Sequence, residues 1–191
     1  MGMFVLPSSH NCFLEWHGVY LIKQGIYNSS IIKFKIEFPK GYPRVMPDVT
    51  FQSKVYHPLV NWTTGRLNLG HEFKEWIFGK CWVINVLLFI KKIFHLEDCY
   101  NLKSHQESNN RQALELYIHN FPLFVNKCQE CVELSIKEKF TKNENLASFP
   151  FSEPETLHNN ILDKIKDFMN SGDDFKAKEA LSLWLKQNLP D

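Results

Sequence analysis

The sequence predicts an α+β fold in which an antiparallel β-meander is followed by packed helices. Two observations carry this reading. Apolar residues alternate with a period of two in runs separated by Gly- and Pro-containing turns up to about Val55, and from Lys80 onward they recur every three or four positions. Strands gathered first and helices afterwards place the helices against one face of an antiparallel sheet.

The first strand is expected at about Trp16–Lys23 ("WHGVYLIK") and the second at about Ile31–Phe38 ("IIKFKIEF"). In the second, Ile32, Phe34, Ile36 and Phe38 share one face while Lys33, Lys35 and Glu37 share the other, the pattern of a half-buried strand. The intervening "QGIYNSS" supplies Gly25 and the polar residues of a hairpin connection. Pro39, Pro43 and Pro47 then surround Gly41 and Tyr42, and prolines so spaced predict a rigid extended loop. "DVTFQSKV" reads as a third strand, and residues before Trp16 are a candidate edge; their Pro-Ser-Ser break argues against a long helix.

Of the helices, "CWVINVLLFIKKIF" is expected to be buried on most of its surface. "NNRQALELYIHN" follows, with Asn109 or Asn110 as its cap, and Asn120 with Pro122 opens a third helix. The stripe expected to be buried on that helix is Phe121, Phe124, Val125, Cys128, Val132, Ile136 and Phe140. A fourth begins at Ser152, where Ser-x-x-Glu has the form of a capping box, and carries Leu157, Ile161, Ile165 and Phe168. The fifth spans about Phe175–Leu189 with Leu181, Trp184 and Leu185 on one side. These last stripes need apolar burial, on the parent domain or in the groove of a partner, and of the two docking on the parent domain is the expectation. The domain plan is a short N-terminal segment 1–15, a central domain 16–140 and a C-terminal helical extension 141–191.

The 191 residues are 44% apolar and carry a formal net charge of +1, which gives no general attraction to a polyanion, so direct nucleic-acid binding is not expected. Five cysteines, Cys12, Cys81, Cys99, Cys128 and Cys131, lack a framework spacing and follow no secretory leader, which predicts a reducing compartment and reduced thiols. Cys128-x-x-Cys131 has no second pair to complete a zinc site, and no metal or other cofactor is expected. The densest apolar run holds Asn85 and two lysines and is shorter than the ~20 residues a bilayer span needs, so no membrane insertion is expected.

The stretch "VYHPLVNWTTGRLNLG" has the look of an active-site approach without a cysteine, a serine nucleophile or a carboxylate pair. His57 is expected to hold the turn locally. Cys81, beside Trp82, is expected to pack rather than react, and His71 with Glu72 fits no metal spacing. Trp76 is expected to seal the loop against the following helix.

The order "IEFPKGYPRVMPDVTF", "VYHPLV", "GRLNL", Trp76 and a helix containing "VLLFI" resembles the ubiquitin-conjugating enzymes, over about residues 16 to 138. In that family a strand, an F-P-x-x-Y-P-x-x-x-P loop, a strand, H-P-N, a G-x-[IL]-C-L segment, a Trp and a helix follow in order. The resemblance implies that His57 and Pro58 are retained, that Leu59 stands at the H-P-N asparagine, and that Asn68 stands at the thioester cysteine once one extra loop residue is allowed. An amide cannot hold an acyl group as a thiol does, and a leucine offers no side-chain donor to an oxyanion, so the expectation is a vestigial site and no catalysis.

More narrowly, "GVYLIKQGIY" and "YHPLV", with Gly65 eight residues after His57, resemble the fused-toes group of AKT-interacting and crossbronx proteins, which lack the active cysteine. That group carries an acidic residue where this chain has Asn68. The resemblance implies a binding protein in the cytoplasm, with a nuclear fraction, and leaves three roles open. One is an adaptor with Hook-family coiled-coil proteins and a helical scaffold in dynein-linked vesicle movement. The second is non-covalent handling of ubiquitin, and the third a telomere-associated role through protein partners.

Overall fold

The computed structural model describes residues 2–9, 12–95 and 108–139, together with 159, 160, 162, 163 and 166. Four strands, β1 (Gly2–Ser9), β2 (Cys12–Leu21), β3 (Ile31–Glu37) and β4 (Asp48–Phe51), form an antiparallel meander in the order β1-β2-β3-β4. Helices α1 (Val83–Ile93), α2 (Arg111–His119) and α3 (Phe121–Lys137) follow. Strands before helices is the predicted order.

The sheet begins earlier than the sequence pattern indicates. The boundary expected at Trp16 falls inside β2, and β1 pairs with it from Gly2↔Leu21 to Ser9↔Cys12. The Pro-Ser-Ser break marks the end of an edge strand: Pro7 pairs with Trp16 and the register shifts between Pro7 and Ser9. Within β2, Gly18 is required because a Cβ there would stand 2.2 Å from the Phe34 ring packed across it.

The strand expected over Asp48–Val55 keeps ladder pairing only to Phe51. Beyond it the backbone N–H groups of Gln52 and Ser53 both donate to the Lys33 carbonyl, and Ser53 Oγ accepts from the Lys33 N–H at 2.9 Å. Lys33 also departs from expectation, because it is buried rather than solvated. Its ammonium donates to the carbonyls of Glu138 and Lys139, each at 3.1 Å, and so caps the C-terminal end of α3. Burial lowers its pKa.

The sheet's inner face (Tyr20, Ile32, Phe34, Ile36) and α1 (Val86, Phe89, Ile90, Ile93) share one apolar core. Phe94 is its aromatic hub, with edge contacts to Tyr27 at 5.1 Å and to Tyr20 and Phe51 at 5.8 Å. The expectation that α1 is buried over most of its surface does not hold. One stripe faces the core, whereas Ile84 and Leu88 on the opposite side are each 55% exposed.

Asn110 caps α2 by accepting from Ala113 N, and Asn120 caps α3 by accepting from Leu123 N. The buried stripe of α3 is Phe124, Cys128, Cys131, Val132 and Ser135, so Phe121 and Ile136, expected inside, are exposed. Cys128 and Cys131 are core residues. The Cys128 thiol donates toward Tyr27 Oη and the Tyr56 carbonyl, both at 3.4 Å, and burial pushes its pKa up to about 12.

By backbone contacts the chain divides into Met1–Phe151 and Ser152–Asp191. In the second unit the described residues 159, 160, 162, 163 and 166 are helical, with a Lys166–Asp163 ion pair at 3.3 Å. Most of the expected fourth helix, all of the fifth, and Phe140 lie outside the described residues. Among the described residues, no helix is long and apolar enough to cross a membrane.

Candidate functional site

Between the end of β4 and the start of α1 the chain forms a two-limbed loop. Val60 and Leu67 make an antiparallel bridge, and Thr50 and Arg66 another. Asn61 ties the tip, its Oδ1 accepting from Thr63 N and Thr64 N, and Gly65 N donates to the Asn61 carbonyl. Gly65 has φ +74°, and a Cβ there would stand 2.2 Å from the Phe51 carbonyl oxygen. That close approach lets Phe51 N donate to the Gly65 carbonyl at 2.9 Å, while an Arg66–Asp48 ion pair holds the returning limb to β4.

His57 is fully buried at the entry to the loop. Its Nε2 lies 3.0 Å from the Ile93 carbonyl and its Nδ1 accepts the Leu59 N–H at 3.0 Å, which assigns the proton to Nε2. Burial, offset in part by the Ile93 hydrogen bond and reinforced by nearby His71, lowers its pKa to about 3. The imidazole is therefore neutral at ordinary pH with both nitrogens engaged, and it holds the turn as expected. The Pro58 carbonyl accepts from Ser108 Oγ at 2.9 Å and from Asn110 N at 3.0 Å, so the cap of α2 also pins the loop. Neither contact was legible in the sequence, because Pro58 and Ser108 lie fifty positions apart.

Leu59 is fully buried, and its carbonyl accepts the Asn68 N–H at 2.8 Å. Asn68 lies half-buried between the buried Leu67 and Leu69 and precedes a single 3₁₀ turn, Leu69–His71. The fold thus brings His57, Pro58, Leu59 and Asn68 to one place. Of the other candidates, Cys81 lies in the turn before α1 with its N–H on the Ile77 carbonyl, and Glu72 pairs with Lys92 at 3.1 Å. Among the described residues, no three His, Cys, Asp or Glu side chains gather as a metal-binding group.

Trp76, expected to seal the loop against the following helix, is held against the proline-rich loop. Its indole N–H donates to the Pro43 carbonyl at 2.9 Å, and its ring packs on Phe73 and Tyr42. Tyr42 Oη accepts the Val83 N–H, so the proline-rich loop is fastened to the first turn of α1.

Chemically, the arrangement offers little. Asn68 carries no thiol, His57 has no lone pair left to take a proton, and the N–H groups of Leu59 and Asn68 are already committed within the loop. What it does offer is surface. Arg44 lies over the Phe78 ring, 5.8 Å from its centroid, and Val45, Ile77, Phe78, Trp82, Ile84 and Leu88 are exposed. Reading by elements missed these residues; the available signal was "WIFGKCW", a loop with aromatic residues and no strand or helix period to bury them.

With this geometry in place, comparison with known proteins gives consistent matches. A family model described as "Ubiquitin-conjugating enzyme" matches residues 1–132. The protein crossbronx homolog of Anopheles gambiae is 34% identical over 141 residues, covering 73% of this chain and 61% of that protein. Protein crossbronx of Drosophila virilis is 31% identical over 178 residues, covering 89% of this chain and 72% of that protein. Among solved structures, the E2 domain of a Toxoplasma gondii ubiquitin-conjugating enzyme is similar in fold, with a TM-score of 0.58 and 22% identity over 70% of this chain and 87% of that one.

Proposed function

The chain belongs to the ubiquitin-conjugating enzyme family, close to its crossbronx proteins, and from that premise we propose that it is a non-catalytic member that works by binding other proteins. The observation that carries this reading is the residue pair at the loop. On the family resemblance Asn68 stands at the thioester cysteine and Leu59 at the H-P-N asparagine, and the two backbones are hydrogen-bonded to each other. On that placement the loop offers neither a thiol nucleophile nor an asparagine donor, which supports binding rather than transfer.

With transfer chemistry absent, binding is the remaining use of the domain, and the exposed side chains from Val45 to Leu88 are suited to a protein partner. The resemblance to the fused-toes proteins supports an adaptor role in the cytoplasm, joining Hook-family coiled-coil proteins and a helical scaffold in dynein-linked vesicle traffic. Purification of the chain from a native extract, with identification of what accompanies it, tests this reading. Recovery of Hook-like coiled coils supports it, and their loss on Phe78→Asp would place the contact. Recovery of ubiquitin and ligases, or of chromosome-end proteins, without coiled coils would replace it.

A further inference from the structure

The hydrogen-bond phase of the sheet shows which backbone groups of β1 face outward. Ile22 N donates to the Ser30 carbonyl and Phe38 N to the Leu14 carbonyl, so the even-numbered residues of β2 direct their backbone groups to β3. The odd-numbered ones, Leu21, Val19 and His17, therefore direct theirs to β1, where their partners are Gly2, Phe4 and Leu6. Met3 and Val5 present N–H and C=O to the opposite edge, on which no strand pairs among the described residues. Pro7, in the same phase, carries its missing donor outward, where it disturbs no bond to β2.

Four further features bear on this edge. β1 is terminal in the sheet order, and Gly2–Ser9 ("GMFVLPSS") contains no charged residue, so the edge lacks the lysines and carboxylates that commonly guard against strand addition. On the outer face Phe4 is 55% and Leu6 48% exposed. Phe4 also lies beside Gly2, where a Cβ would stand 3.1 Å from its ring.

We propose that β1 is a self-association edge, on which a second copy of this chain pairs its own β1 antiparallel about a two-fold axis through Phe4. In that register Met3 of one copy faces Val5 of the partner subunit, twice over, and all four outward N–H groups find carbonyls. Phe4 faces the partner's Phe4 in a non-hydrogen-bonded pair, where side chains approach most closely, and Leu6 faces the partner's Gly2 beside that ring. Pro7 and the bulge after it end the pairing just beyond Leu6. A second copy suits the edge better than an unrelated strand because Gly2–Leu6 is complementary to itself about Phe4, in bulk and in backbone donors, and opposes no like charges. The contact is isologous and closes at two copies.

Sedimentation velocity of the full chain, with any tag at its C-terminus, across micromolar concentrations tests the proposal, and reversible dimerisation is expected. Val5→Pro removes an outward donor without touching a β1–β2 bond and should weaken the dimer at least about tenfold. Phe4→Lys, at an exposed position, should do the same and covers the case in which the proline variant fails to fold. Phe4→Cys tests the register, because non-hydrogen-bonded partners stand about 4.5 Å apart at Cα, within disulfide reach. It should form an intermolecular disulfide on mild oxidation, whereas Leu6→Cys, opposite the partner's Gly2, should not. A chain that stays monomeric, dimerises equally well as Phe4→Lys, or cross-links as readily through Leu6→Cys overturns the proposal. Capture of an added extended peptide by a chain that remains monomeric overturns the assignment to a second copy.

Discussion

Asn68 and Leu59 are joined through their backbones, the Asn68 N–H donating to the Leu59 carbonyl at 2.8 Å, while the Leu59 N–H is itself taken by His57 Nδ1. The three residues form a chain of hydrogen bonds within the loop. Consequences follow for chemistry, for pH and for packing.

Incubated with ATP, activating enzyme and ubiquitin, the protein is expected to form no thioester. Non-reducing electrophoresis checks this; a band shifted by one ubiquitin and removed by thiol reductant would refute it, and Cys81 would then be the first residue to replace.

Asn68→Cys is expected to leave conjugation at least about a hundredfold below that of an active enzyme, the scale set by one missing oxyanion donor. The new thiol would sit on a loop with one extra residue, with Leu59 opposite and His57 unable to accept a proton. Lysine discharge near the rate of an active enzyme would show that the loop retains working geometry.

Stability should depend on His57 below neutral pH. Its pKa is about 3 when folded, against 6.5 for an ordinary histidine, so between those limits the unfolded chain binds more protons. Its contribution is fully present above about pH 7 and is lost progressively as pH falls from 6.5 toward 3. The check is chemical denaturation at pH 7.5 and 5.5 on wild type and His57→Gln. The variant should show the smaller loss over that interval, and equal losses would count against a buried neutral imidazole.

Gly65→Ala should destabilise the fold by about 3 kcal/mol, from left-handed backbone combined with a Cβ placed against a carbonyl. A melting temperature within a degree or two of wild type would mean that the limb can move away from Phe51 at little cost.

Thiol chemistry separates the cysteines. Cys81, half-buried, should be alkylated in the native protein, while Cys128 and Cys131, whose burial raises their pKa values, should label only on unfolding. Mass-spectrometric mapping after brief labelling reads this directly, and rapid native labelling of Cys128 would contradict its place between Tyr27 and Tyr56.

The sequence by itself determined what local chemistry can determine. The α+β order was legible because the apolar period changes from two to between three and four near Lys80, and the caps at Asn110 and Asn120 because a cap is written within four residues. The candidate loop was legible because His57, Pro58, Gly65 and Trp76 keep a fixed order along the chain. Only the tertiary structure decided which side chains are inside. Lys33 sits on the polar side of an alternating strand, yet it is buried by the end of a helix more than a hundred positions later. Ile84 and Leu88 belong to the most apolar run in the chain, yet they are exposed because one sheet face covers only one stripe of α1. Gly2–Ser9 lacks a strong pattern, and it is pairing with β2 that makes a strand of it. Burial depends on what packs against a residue from elsewhere in the chain, and no local period encodes that partner.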